Sequence, residues 1–312
     1  MTSFAFVFPG QGSQSVGMLD AWGDHPAVRS TLQEASDALG EDVAALIHGG
    51  PKEQLDLTTN TQPVMLTAGI ACYRAWLAET GRAPAAVAGH SLGEYSALVA
   101  AGSLTLADAL PLVRLRAQAM QEAVPVGVGA MAAVLGLDAA AVQAGCAQAA
   151  AASGEVVEAV NFNDPKQTVI AGTKAGVDKA CEVLKGLGAK RTLPLPVSAP
   201  FHSSLMKPAA ERLKARLAEV TLQAPQIVVV NNVDVAVCQA PDEIRDALYR
   251  QAFGPVRWVE VVQALRGRGL SHLIECGPGK VLAGMVKRID ADAITATLCD
   301  PASLADLREL LA

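Results

Sequence analysis

The segment Val87-Ala88-Gly89-His90-Ser91-Leu92-Gly93-Glu94-Tyr95 constrains this chain more than any other. Residues 85–88 form an apolar run of strand type, and from residue 96 to 101 apolar side chains continue at helical spacing. A Gly-x-Ser-x-Gly between them sits where a strand turns abruptly into a helix, the pattern of a nucleophile elbow. The turn is too tight for Cβ atoms against neighbouring backbone, hence the two glycines, and it presents one hydroxyl at the top of a sheet, facing a helix N-terminus. Ser91 is therefore the candidate nucleophile. The bare five-residue pattern also fits a glycine-flanked serine capping a helix; the strand before it and the helix after it favour the elbow.

A chain of 312 residues, 51% hydrophobic and 18% charged, can bury the core of one large domain or of a large domain carrying a smaller one. Its formal charge of −6 argues against nucleic acid or an anionic membrane as the main partner, so any anionic partner has to meet a local basic patch. No cationic leader precedes an apolar core and no apolar run has bilayer-spanning length, from which a cytoplasmic protein is expected. Six cysteines, at positions 72, 146, 181, 238, 276 and 299, lack Cys-x-x-Cys spacing; they fit reduced thiols packed as small hydrophobes, and neither a zinc site nor a disulfide framework.

Phe4 to Phe8 reads as a first strand that ends in Pro9-Gly10-Gln11-Gly12-Ser13-Gln14. Glycines there let backbone approach a ligand and the glutamines supply amide donors, although the same residues also make a plain strand-to-helix turn. Helical spacing follows over residues 27–39, 42–48 and, after the capping-type Thr58 and Thr59, 62–79. Beyond the elbow, residues 106–124 read as a helix interrupted early by Pro111. It carries Arg114 and Arg116, which two residues apart fall on nearly opposite faces. By themselves both read as solvated rim charge; a guanidinium turned inward needs a carboxylate.

From Gly127 the pattern becomes strand (131–137), helix (139–152), strands (156–162 and 168–171), helix (174–187) and a last strand (193–197). This is the order of a split-βαβ module inserted in a larger fold, with bounds read as 127–198 against a main domain of 1–126 and 199–312. Asn161 and Asn163, ahead of Asp164-Pro165, are expected at a turn between two of its strands. His202 lies on a loop before a helical segment, where catalytic histidines tend to be placed. The remainder reads as a strand (227–230), helices (242–253 and 256–266), a strand (272–276) and a final helix after Gly277-Pro278-Gly279-Lys280. That loop lacks phosphate-loop spacing and reads as a tight turn.

Several separated segments agree with one another: Phe8 to Gln14, Gly89 to Tyr95, Arg116 with Met120, Asn161-Phe162-Asn163, Pro200-Phe201-His202-Ser203 and Glu275 to Lys280. In order and over nearly the whole chain they resemble malonyl-CoA:acyl carrier protein transacylases, the stand-alone acyltransferases of fatty acid synthesis. The resemblance implies an α/β fold, a hydrolase-like core with a mostly parallel sheet and an inserted small ferredoxin-like α+β subdomain. It implies Ser91 as the acyl-accepting nucleophile, His202 as its general base and Arg116 as the clamp for the free malonyl carboxylate. Gln11 and the Leu92 N–H would form the oxyanion hole, and the main-chain carbonyl of Gln251 would hold the histidine. His90, Asn161, Asn163 and Met120 would line the site, and Phe201 resembles the malonyl-selective pattern in which its bulk crowds an α-methyl.

The resemblance further implies malonyl-CoA and acyl carrier protein as partners and no cofactor beyond the CoA thioester substrate; from the charge and cysteine pattern no nucleic acid, membrane or metal is expected, and a shielded pocket serving two large substrates fits a monomer. Acyl carrier proteins are acidic, which makes Lys190 and Arg191, near Lys174, Lys179 and Lys185, the candidate docking cations. General hydrolases place an acid between serine and histidine, and here Asp164 and Asp178 fall in the inserted module, so neither serves as a convincing third member. Two other readings stay open: a trans-acting malonyl acyltransferase of polyketide synthesis, with the same chemistry, and a serine thioesterase or hydrolase built on the same elbow.

Overall fold

Apolar side chains occupy every position of the first strand, β1 (Phe4–Phe8), so both of its faces have to be covered. In the computed structural model, which describes residues 2–197 and 199–312, they are. After β1 come α1 (Pro26–Leu39), α2 (Val43–Gly49), the single turn α3 (Lys52–Leu55), α4 (Thr58–Thr80), β2 (Ala86–Gly89), α5 (Gly93–Ala100) and α6 (Leu106–Glu122). The chain continues through β3 (Gly129–Leu135), α7 (Ala139–Ser153), β4 (Val157–Asp164), β5 (Gln167–Thr173), α8 (Lys174–Gly186) and β6 (Arg191–Pro194). It closes with α9 (Lys207–Glu219), β7 (Val228–Val230), α10 (Pro241–Gln251), α11 (Trp258–Gly267), β8 (His272–Cys276), α12 (Val281–Ile289), β9 (Ile294–Leu298) and α13 (Pro301–Leu310).

Five strands in the order β7-β2-β1-β8-β9 form a parallel sheet. Strand alternation sends Phe4, Phe6 and Phe8 to one side, where they meet Tyr73 and Trp76 of α4 edge-on at centroid distances of 5.8 to 6.3 Å. Ala5 and Val7 point to the other side and pack with Trp258 and Val262 of α11 and Leu282 and Val286 of α12. A separate antiparallel sheet has the order β4-β5-β3-β6, and its core includes Val142 and Cys146 of α7 and Val177 and Leu184 of α8. This is the ferredoxin-like arrangement expected for the second part. Ser198, read from the sequence as the last residue of that module, lies outside the described residues.

The small sheet is tied along β4 to the segment ahead of α11 and to α12. Phe162 N–H donates to Val256 O at 2.9 Å, Val256 N–H to Val160 O at 2.8 Å, and Arg288 Nε to Asp164 Oδ2 at 2.6 Å. A cleft therefore runs between the small sheet and the C-terminal ends of the large one, where ligands of open parallel sheets bind.

Four local expectations are corrected. Helix α4 begins at Thr58, and Leu57 at its cap makes no side-chain bond, so Thr58 and Thr59 are helical residues. Helix α6 runs through Pro111 without interruption, because the loss of one N–H near its start is outweighed by burial of Leu110, Leu112, Val113 and Ala117. Asn161 and Asn163 lie within β4; register shifts in the β4–β5 pairing re-aim this stretch, and the turn comes after Asp164. The helix after Lys280 is not the last: β9 and α13 follow, β9 being an edge strand with only Leu298 fully buried and hence a weak pattern.

At the elbow the packing is backbone on backbone. A Cβ at Gly93 would lie 2.1 Å from Phe8 O, and one at Gly89 would lie 1.9 Å from the Gly93 backbone. Relief would require parting β1 from α5, so Gly93→Ala is expected to cost more than about 3 kcal/mol, beyond the usual overpacking range. Urea unfolding measures this directly, and an unchanged midpoint would contradict the packing described.

Candidate active site

Two residues with Cβ atoms hold left-handed backbone here, Ser91 at φ 52 and His202 at φ 66. Such conformations cost about 1–3 kcal/mol each and persist where surrounding bonds over-determine them. At Ser91 those bonds are visible. Its N–H donates to Asn232 Oδ1 at 2.7 Å, Asn232 Nδ2 donates to Gly89 O at 2.7 Å, and Ser91 O accepts Gln251 Nε2 at 2.9 Å. The elbow is thus clamped on both sides of the serine, which leaves its hydroxyl facing the cleft.

Ser91 Oγ lies 2.7 Å from His202 Nε2, and His202 Nδ1 lies 2.9 Å from the main-chain carbonyl of Gln251. A carbonyl can only accept, so Nδ1 carries the proton and Nε2 offers its lone pair to the hydroxyl. Burial, and then the nearby Arg116 cation, push the His202 imidazole down to about 3. It is therefore neutral, and able to take a proton, throughout the neutral range.

Arg116 is 2% exposed. It donates to Gln62 Oε1 at 2.8 Å, Gln251 Oε1 at 3.1 Å and Ser91 Oγ at 3.2 Å, and its guanidinium carbon stands 5.5 Å from the centre of the Tyr95 ring. Every one of these partners is neutral, and no carboxylate among the described residues bonds it. A buried cation in that state is costly unless a charged ligand completes it. The rim reading of Arg114 and Arg116 is half right. Arg114 reaches outward to both carboxylate oxygens of Glu41 at 2.8 Å, while Arg116, nearly opposite on α6, turns inward.

Ser91, His202 and Arg116 share a cavity of about 140 Å³ with Gln11, Leu92 and His90. The apolar Met120, Met131, Leu195 and Phe201 also line it. The volume is well under the ~300 Å³ at which sites for drug-sized ligands begin, so the enclosed part takes a group of a few heavy atoms.

The acyl transferase domain family matches residues 5–297. The chain belongs to that family. It is 54% identical to the malonyl CoA-acyl carrier protein transacylase of Escherichia coli (strain K12), over 99% of this chain and 100% of that protein. The crystal structure of an acyl-carrier-protein S-malonyltransferase from Burkholderia pseudomallei 1710b matches with a TM-score of 0.97 at 65% identity, covering 98% of this chain and 99% of that one. A malonyl-transacylase solved in complex with its type II PKS acyl-carrier protein matches with a TM-score of 0.96 at 48% identity, covering 99% and 100%.

Within this acyl transferase, most residues singled out from the sequence meet at one place, and a few stand behind it. Asn163 sits one step back, its Oδ1 accepting His90 Nε2 at 2.8 Å, while His90 rests edge-on against Trp258 at 5.6 Å. Asn161 lines the cavity, and its buried Oδ1 has no partner among the described residues. Gln11 Nε2 rests on Thr58 Oγ1 at 3.3 Å, with its second amide hydrogen free to serve elsewhere. Asp164 pairs with Arg288 and Asp178 with Lys174, so neither acts as a third triad member.

Sequence reasoning missed Gln62, Glu94, Asn232 and Trp258. The signal for Gln62 was an uncharged polar residue inside a helix buried almost all round. For Glu94 it was a charge in the first turn of an otherwise apolar helix, which reads as a partner for the helix dipole. Asn232 follows a strand end, where it reads as a turn former.

The depressed proton affinity of His202 sets the pH behaviour of Ser91. Labelling of Ser91 by a small neutral sulfonyl fluoride should hold its rate as pH falls through 6.5, the ordinary imidazole value, and fail only in more acid solution. A half-maximal rate at pH 6.5 or above would show that the base is not buried as described.

Proposed function

We propose that this acyl transferase moves a malonyl group from malonyl-CoA to the pantetheine thiol of acyl carrier protein through a malonyl ester on Ser91. The observation that carries this reading is the buried Arg116 guanidinium, held by neutral groups only, 3.2 Å from the nucleophile. A short acyl group with a free carboxylate completes that cation, whereas acetyl leaves it unpaired. Similarity to transacylases of malonyl CoA, and to one solved with its carrier protein, supports the same assignment.

The steps follow from the geometry. His202 Nε2 takes the hydroxyl proton as Oγ attacks the thioester carbonyl, and Gln11 and the Leu92 N–H receive the developing oxyanion. The tetrahedral intermediate collapses with release of the CoA sulfur, which leaves as thiol with the proton from His202. The carrier-protein thiol then gives its proton to Nε2 and attacks the ester, and Ser91 recovers its hydroxyl hydrogen. When the malonyl carboxylate meets Arg116, it offsets the cation that depresses His202, and the base strengthens with the correct acyl group in place. The Gln251 carbonyl orients the imidazole but stabilises imidazolium less than a carboxylate would, which suits exchange between activated thioesters rather than amide cleavage. Phe201 beside the base crowds an α-methyl substituent.

Residues 127–198 are taken as the inserted module and as the carrier-protein side of the cleft. Lys174 and Lys179 are neutralised by Asp178 and Glu182, whereas Lys185, Lys190 and Arg191 form no ion pair among the described residues. The last three are therefore the cations free for an acidic partner. No described helix is long and apolar enough to cross a membrane, and the reading places the protein in the cytoplasm, supplying extender units for fatty acid synthesis with no cofactor of its own.

Intact mass after mixing with malonyl-CoA should show one malonyl adduct on Ser91 that carrier protein discharges. Arg116→Ala should shift preference toward acetyl-CoA, and an adduct cleared as fast by water alone would instead favour the hydrolase. Charge reversal at Lys190 and Arg191 should raise KM for carrier protein and spare acylation by malonyl-CoA; equal damage to both half-reactions would rule the docking surface out.

A further inference from the structure

One charged group beside the site takes no part in the steps above. Glu94, in the first turn of α5, is 2% exposed and does not line the acyl cavity. Its Oε2 accepts Gln251 Nε2 at 3.0 Å and the Asn232 N–H at 2.9 Å.

Gln251 is the hub of the site. Its main-chain carbonyl holds His202, its Nε2 also donates to Ser91 O, and its Oε1 accepts Arg116 Nη2. An amide can sit in either of two orientations, and what surrounds it decides which. Oε2 is the acceptor in both bonds, so Glu94 draws the NH₂ end toward itself and leaves the amide oxygen facing the guanidinium. With the amide reversed, NH₂ would confront Arg116, which has donors only. The distance between the charges matters equally. A carboxylate bonded directly to Arg116 would fill the place the acyl carboxylate needs. One amide removed, Glu94 fixes the amide from behind and leaves guanidinium donors for the ligand.

We infer that Glu94 is a positioning residue for malonyl recognition, acting through the Gln251 side-chain amide to hold Arg116 in its receptive place. This rests on the malonyl-transfer reading. It assigns Glu94 to discrimination between acyl groups, with the chemistry at Ser91 left to His202.

The test compares acylation of Ser91 by malonyl-CoA and by acetyl-CoA in the full chain, read by rapid quench and intact mass. A wild-type protein that forms no malonyl adduct would sink the transfer reading itself, whatever Glu94 does. Given that adduct, Glu94→Ala should lower the malonyl-to-acetyl ratio of kcat/KM by at least about tenfold, chiefly through the malonyl KM, the scale of one lost hydrogen bond to a charged group. Glu94→Gln keeps an acceptor oxygen and should recover the ratio to within about threefold of wild type. Gln251→Leu removes the amide but keeps the carbonyl that holds His202; it covers the case in which Glu94→Ala does not fold, and should lower the ratio likewise. Glu94→Ala added to Gln251→Leu should change it no further. A wild-type ratio in Glu94→Ala or Gln251→Leu overturns the inference, as do additive effects in the double variant. An equal fall with both acyl groups also overturns it, because that is the mark of a support for the elbow alone.

Discussion

A serine held at a backbone angle its own Cβ disfavours is the constraint on which the rest of this site depends. Ser91 stays at φ 52 because bonds on either side leave it no alternative: Asn232 ties its N–H to the carbonyl of Gly89, and Gln251 holds its own carbonyl. Behind the turn, Gly89 and Gly93 bring β2, α5 and the end of β1 into backbone contact. Gly10 completes the contact from the β1 loop, since a Cβ there would lie 2.7 Å from His90 O. A strain of about 1–3 kcal/mol is thereby spread over the C-terminal ends of two central strands. Its return is a hydroxyl fixed within 2.7 Å of a base from a loop 111 residues away.

Around that hydroxyl, charge is arranged for a partner supplied from outside. Arg116 and Glu94 are both buried, yet they meet only through the amide of Gln251. Burial pushes the Glu94 carboxyl up to about 7, against the bonds from Gln251 and Asn232 that favour its ionised form. The same low-polarity surroundings keep His202 neutral. A site with a free base and a cation short of a direct counter-ion is poised for a nucleophilic attack on an acyl group that brings its own negative charge.

The small antiparallel sheet closes this arrangement. Strand β4 is bonded to the backbone at Val256, just ahead of α11, and its bulged end carries Asn161 to the cavity and Asn163 to His90. Met131 and Leu195 add the apolar wall from the same part of the chain. The small sheet thus completes a cavity with room for a short acyl group.

The chain's local chemistry is open to reading in the sequence. The strand–glycine–serine–glycine–helix pattern, the apolar β1 and the βαββαβ order of residues 129–194 follow from side-chain period and from where glycine alone fits, and these are short-range properties. The roles of His202 and Arg116 came from resemblance, since a lone histidine or a pair of arginines two residues apart has no distinctive local pattern. What the tertiary structure decided is which polar groups are buried and with whom. Pro111 does not break α6, because core packing outweighs one missing hydrogen bond, and that continuity turns Arg116 inward while Arg114 meets Glu41. Glu94, Asn232 and Gln62 read as a helix-end charge, a turn residue and a stray polar residue. They became the supports of the site only when segments up to 157 residues apart were brought within hydrogen-bond reach, because hydrogen bonds depend on distance and angle in space, not on sequence spacing.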